Sequence, residues 1–99
     1  MTNSKLARPQ RNVQTHTLAN GLTIITEEIP YVESIAINVG VRCGSRHEPP
    51  GLEGMAHLIE HMLFKGTESV PDPSKISEII EMSGGSLNAA TDYETTIYW

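Results

Sequence analysis

Three residues in the stretch from Gly51 to Thr67 have the types and spacing to do chemistry: His57, Glu60 and His61, in the order His-x-x-Glu-His. On a helix, residues four apart are neighbours, with Cβ atoms roughly 5–6 Å apart. That spacing lets the imidazoles of His57 and His61 reach one zinc ion at roughly 2.0–2.1 Å each. Glu60 falls about 60° from His57, on the side away from His61. A carboxylate beside a metal can take a proton from an attacking water and pass it to a leaving amine, while the metal lowers the pKa of the water towards neutrality. The order of residues is that of the better-known His-Glu-x-x-His arrangement with the helix direction reversed.

The element that must hold these side chains is a helix expected over residues 52–64. The segment lacks proline, is rich in Leu, Met and Ala, and has Gly66 just past its end. At about 100° per residue, Leu52, Met55, Ala56, Ile59, Met62 and Leu63 gather on one side, while Glu53, His57, Glu60 and His61 share a narrow stripe. The pattern predicts a mostly buried helix with one polar strip. An ordinary surface His–Glu pair fits this apolar surround poorly.

The other elements follow in order. Residues 1–12 contain Lys5, Arg8 and Arg11 and no acid, and read as a flexible basic tail. Val13 to Leu18 and Leu22 to Thr26 flank Asn20-Gly21, which predicts a hairpin with a type I′ turn. His16, in the first of these strands, reads as structural or exposed. Residues 34–41 alternate Ile35, Ile37, Val39 and Val41 with Ala36, Asn38 and Gly40, which predicts a central strand. Residues 43–50 read as a loop, with Cys43 a small buried residue at the end of the strand and His47 not a ligand. Asp72 and Pro73 predict the start of a second, amphipathic helix, ended by Gly84-Gly85. Residues 86–90 and 95–99 read as two strands joined through Asp92. The layout is α+β, with an antiparallel or mixed sheet backed by helices.

These residues carry a wider likeness. Gly44-Ser45-Arg46 with Glu48, then Gly54, His57, Glu60, His61, Phe64, Gly66 and Thr67, then Leu87-Asn88-Ala89 after Gly84-Gly85, resemble the pitrilysin/insulinase family of inverted-motif zinc metallopeptidases. The resemblance runs from about Asn20 to Trp99. It implies a zinc-dependent metalloendopeptidase, with His57 and His61 as zinc ligands and Glu60 as the catalytic base. It also implies that Asn88 and Ala89 lie on a strand to which a peptide substrate adds as a further strand. The family's third zinc ligand is a glutamate on a later helix, expected beyond Trp99, and the family closes its site with a second homologous domain or subunit. An alternative within the same fold is a non-catalytic peptide-binding or scaffold subunit. Such members lose the His or Glu of the motif, and all three residues stand here. A third reading is a zinc-free α+β module with structural histidines.

Composition narrows the classes further. Ninety-nine residues make at most one domain, residues 13–99, and the run Thr95 to Trp99 reads as a strand in mid-course, as expected of an N-terminal fragment. The formal charge is −5, and past residue 12 all twelve acids face only Arg42, Arg46, Lys65 and Lys75. Such a body disfavours nucleic acid as a partner. No apolar run approaches a membrane span, no hydrophobic leader is visible, and the single cysteine makes no internal disulfide. The expected compartment is the bacterial cytoplasm or the mitochondrial matrix, not the exterior. Because imidazole binds zinc only when neutral, zinc affinity is expected to fall as pH drops below about 6.5. Competition titration against a chromogenic chelator across that range measures it, and a flat affinity would argue against histidine ligation.

Overall fold

The computed structural model describes residues 10–99, so residues 1–9 of the expected basic tail lie outside the described residues. The chain divides into two compact units, one running to Ile35 and the other from Ala36 to Trp99.

In the first unit, β1 (Asn12–Thr17) pairs antiparallel with β2 (Thr23–Glu28), with Thr17 opposite Thr23 and Asn12 opposite Glu28. Arg11 and Asn12 thus belong to the hairpin. The Arg11 guanidinium donates two 2.6 Å hydrogen bonds to Glu27 and holds that carboxyl below its usual range. The pair lies in solvent, so it adds little stability. The hairpin stands as expected, but its turn does not. Gly21 has φ of 89° and Asn20 does not share a positive φ, while Gly21 N–H donates to the Leu18 carbonyl at 2.9 Å. This is a three-residue loop with glycine in the left-handed position, the common next choice after the two-residue turn. The Asn20 side chain accepts the Leu22 N–H at 3.1 Å, and so holds the loop without a positive φ at Asn20. His16 is exposed on β1.

The second unit holds β3 (Val39–Val41), a 3₁₀ turn (Ser45–His47), α1 (Met55–Met62), α2 (Pro73–Met82), β4 (Ala89–Thr91) and β5 (Thr96–Tyr98). The sheet order is β3-β5-β4, and every pair is antiparallel. Among the described residues the strand expected to be central is therefore an edge. Val39 lies opposite Tyr98, so residues 34–38 run past their partner strand. β5 takes the middle because the β4–β5 hairpin and β3 pair with its two sides.

The β4–β5 connection is held by Asp92, whose carboxylate accepts N–H groups from Glu94 at 2.8 Å and Thr95 at 2.6 Å. Those donors, chiefly the Thr95 and Glu94 backbone, lower the pKa of Asp92. The segment after β3 lies against this turn: Ser45 N–H donates to the Asp92 carbonyl at 3.1 Å and Arg46 N–H to the Tyr93 carbonyl at 2.9 Å. Arg46 also pairs with Glu94 and covers the Tyr93 ring. Gly44 is buried there. Cys43 is exposed, contrary to expectation, because its carbonyl and not its thiol meets the sheet, accepting the Thr96 hydroxyl at 2.8 Å.

α2 begins and ends where its sequence signals place it. Asp72 accepts the Ser74 N–H at 2.9 Å, Pro73 is the first helical residue, and Gly84 at φ 77° closes a Schellman motif with Gly85 N–H on the Ile80 carbonyl. α1 is shorter than expected and buries a different face. Ala56 and Glu60 are its buried residues, while Leu58, Ile59, Met62 and Leu63 are each more than half exposed. α1 lies against β4, where small Ala56 permits close approach and Glu60 finds a hydrogen bond. Its broad apolar face is largely exposed among the described residues.

A Cβ on Gly44 would stand 2.5 Å from the Asp92 carbonyl oxygen and 2.6 Å from the Glu94 nitrogen, both backbone atoms that cannot swing aside. A Cβ on Gly40, in the middle of β3, would meet nothing within 4 Å. Gly44→Ala is expected to lower the unfolding free energy by about 1–3 kcal/mol, and Gly40→Ala to change it by less than about 0.5 kcal/mol. Urea unfolding of the two variants measures the contrast.

Candidate active site

The site is built on α1. Its first residue follows Gly54, which has φ of 91° and no side chain with which to cap the helix. The cap comes from upstream. The Glu48 carboxylate accepts the Gly54 N–H at 2.7 Å and the Ala56 N–H at 3.0 Å. A negative group at this end also complements the helix dipole. The 3₁₀ turn and the two prolines that follow bring Glu48 into place; His47 Nδ1 accepts the Gly44 N–H at 3.1 Å and so serves that turn. The sequence marked Glu48 as part of a pattern without showing this task.

From the helix, His57 and His61 project on the exposed side and Glu60 projects onto the sheet. The two imidazoles face each other with Nε2 atoms 2.8 Å apart, ring centroids 4.5 Å apart and planes inclined by 72°. One donor atom from each of His57, Glu60 and His61 lies within 4.8 Å of the others. Among the described residues this is the one group of three or more such side chains that converges. Tetrahedral zinc with bonds of about 2.0–2.1 Å would set two nitrogens roughly 3.4 Å apart. The Nε2 pair is closer than that by a small ring rotation, and the donor set of two imidazoles beside a carboxylate suits the ion.

Glu60 is 8% exposed. Its Oε2 accepts the Thr91 hydroxyl at 2.6 Å. Thr91 stands directly across from Thr96, whose hydroxyl lies 3.3 Å from it and donates to the Cys43 carbonyl. Tyr98 borders the same carboxylate: burial, and then the nearby Glu60 charge, raise its pKa. Sequence reasoning missed Thr91, Thr96 and Tyr98. The signal was present in the period-two pattern, since Thr91 follows Ala89 on one strand face.

Ala89 opens β4, an edge strand among the described residues, and Asn88 immediately precedes it. Asn88 exchanges backbone hydrogen bonds with Trp99 at 2.8 and 2.9 Å, which extends the ladder by one pair. In an antiparallel ladder the next residue then turns its N–H and C=O outward. The outward N–H of Ala89 is taken by the Asn88 side-chain oxygen at 2.8 Å. The edge beside the site is thus covered by one short polar side chain.

The inverted His-x-x-Glu-His arrangement thus stands on a helix packed against a small antiparallel sheet, and comparisons with known proteins show the family to which such a chain belongs. The insulinase (peptidase family M16) model matches residues 23–99, and the chain belongs to that family. It is 47% identical over 90 residues to a zinc protease of Rickettsia bellii, an alignment covering 91% of this chain and 22% of the relative. It is 45% identical over 83 residues to the mitochondrial-processing peptidase subunit beta of Dictyostelium discoideum, covering 84% of this chain and 18% of that one. The crystal structure of pitrilysin superposes with a TM-score of 0.76 at 29% identity, over 93% of this chain and 10% of that one. The fold is α+β and pitrilysin-like, and the chain spans about a fifth of the length of the curated relatives it matches.

Because Glu48 accepts two N–H groups that the helix start cannot satisfy itself, Glu48→Ala is expected to cost about 1 kcal/mol of stability. Chemical denaturation measures the loss. Unchanged unfolding would show that water caps α1 equally well.

Proposed function

We propose that the protein carrying this sequence is a zinc-dependent endopeptidase acting on peptides or small unfolded proteins, and that residues 13–99 form the N-terminal portion of its peptidase domain. The observation that carries the reading is the convergence of His57, Glu60 and His61 on one end of α1, with the acid buried and both imidazoles open. In this reading His57 and His61 hold one zinc ion through Nε2, and a glutamate beyond Trp99 completes the ligand set. Bound zinc supplies Lewis-acid polarisation of the scissile carbonyl and acidifies the attacking water.

The chain's own residues do the rest. Glu60 accepts the proton that the attacking water gives up and returns it to the leaving nitrogen, so the carboxylate ends as it began. A peptide adds to the open edge of β4 and pairs with the outward groups of Ala89. The Asn88 amide leaves the Ala89 N–H as the peptide arrives and turns to a substrate carbonyl. A second homologous domain or subunit supplies the opposite wall. The acidic surface suits basic peptides over nucleic acid. No described helix is long and apolar enough to cross a membrane. The compartment proposed is the bacterial cytoplasm or the mitochondrial matrix.

Metal analysis after chelator-free purification tests the site. Near-stoichiometric zinc is expected in a form extended past the third ligand, and little in the 99-residue chain. Absence of zinc from both would make the histidine pair structural and end the peptidase reading. Glu60→Gln in the long form is expected to keep its zinc and lose cleavage by about 10²–10⁴-fold. Undiminished cleavage would remove Glu60 from the role of base, and a native protein that holds zinc but cleaves nothing would favour a non-catalytic peptide-binding subunit.

A further inference from the structure

The hydrogen bond between Thr91 and Glu60 joins residues 31 apart and is the one side-chain bond from the sheet to the motif. A threonine hydroxyl has a single hydrogen to give. The Thr91 hydrogen goes to Glu60 Oε2 at 2.6 Å, so that oxygen is occupied. Among the described residues Oε1 receives no hydrogen bond, yet no buried side-chain oxygen is left without a partner. Oε1 is therefore the oxygen in touch with solvent, and the two halves of the carboxylate are distinguished. Thr96 sits opposite Thr91 across the ladder, 5% exposed, with its hydroxyl 3.3 Å from Thr91 Oγ1 and its own hydrogen directed to the Cys43 carbonyl. Both residues are β-branched, so each has few χ1 choices.

We propose that Thr91 is a positioning residue for Glu60, pinning Oε2 so that Oε1 alone faces the place where a proton is exchanged. The proposal rests on the reading of Glu60 as the base. A carboxylate on a flexible side chain would otherwise share its time among several rotamers. Presenting one oxygen in one direction shortens the search for the reactive arrangement. The effect acts on the chemical step and not on holding substrate or metal, because the Thr91 hydroxyl bonds the carboxylate and neither imidazole.

The test uses the full-length protein with two variants. Thr91→Val keeps the shape and removes the hydroxyl, and Thr91→Ser keeps the hydroxyl. The measurements are kcat and KM on a fluorogenic peptide, zinc content, and the crystallographic position of Glu60. Thr91→Val is expected to lower kcat about 10–100-fold, to leave KM within about twofold and zinc content at the native level, and to release Glu60 into more than one rotamer. Thr91→Ser is expected to restore most of kcat and the single rotamer. A Glu60 carboxylate that keeps its native place in Thr91→Val overturns the proposal whatever the activity. So does an equal loss of kcat in Thr91→Ser, or a loss of zinc in step with kcat. A native protein that holds zinc without cleaving peptides would instead overturn the endopeptidase reading, while the rotamer comparison would still decide the role of Thr91.

Discussion

The arrangement of the second unit depends on a carboxylate placed on the buried side of a helix. An acid taken out of water must find a hydrogen bond or it costs the fold dearly. Glu60 finds one in Thr91, and with that bond made α1 is rolled with its acid on the sheet. Once Glu60 faces β4, the 100° step of the helix carries His57 and His61 to the open flank, side by side. The same roll turns Leu58, Ile59, Met62 and Leu63 outward.

A helix of eight residues is marginal without support. Its support comes from the segment between β3 and α1, which runs tightly against the β4–β5 turn. Gly44 allows the backbones to touch, Asp92 keeps the turn in shape, and Glu48 reaches forward to close the helix start. The exposed ion pairs of Arg46 with Glu94 and Arg11 with Glu27 add little by comparison. Thus the residues that hold the motif in place are mostly backbone groups and short polar side chains.

The edge of β4 gives the same site a second character. Asn88 answers the unpaired N–H of Ala89 with its own side chain, which protects a strand edge that would otherwise invite another chain. A group that covers an edge in this way can also yield to a better partner. The helix thus carries two imidazoles and a carboxylate within 4.8 Å of one another, and the strand beside it carries this covered edge.

The parts legible in the sequence are those decided within a few residues of chain. The His57/His61 pair follows from helical spacing, the start of α2 from Asp72 and Pro73, its end from Gly84 and Gly85, and the hairpin from Asn20-Gly21. Each rests on contacts no more than five residues apart, which is the range of local pattern. Even there the turn type escaped, because the Asn20 side-chain bond to Leu22 competes with the backbone form that Asn-Gly favours. The tertiary structure alone decided that β5 and not β3 is central, that Cys43 is exposed, and that Glu60 is the buried member of its motif. It alone brought Thr91 to Glu60 across 31 residues and Thr96 to the Cys43 carbonyl across 53. No local periodicity encodes a hydrogen bond at such separation. It forms only when sheet register and helix roll are both set, and each of those depends on the other.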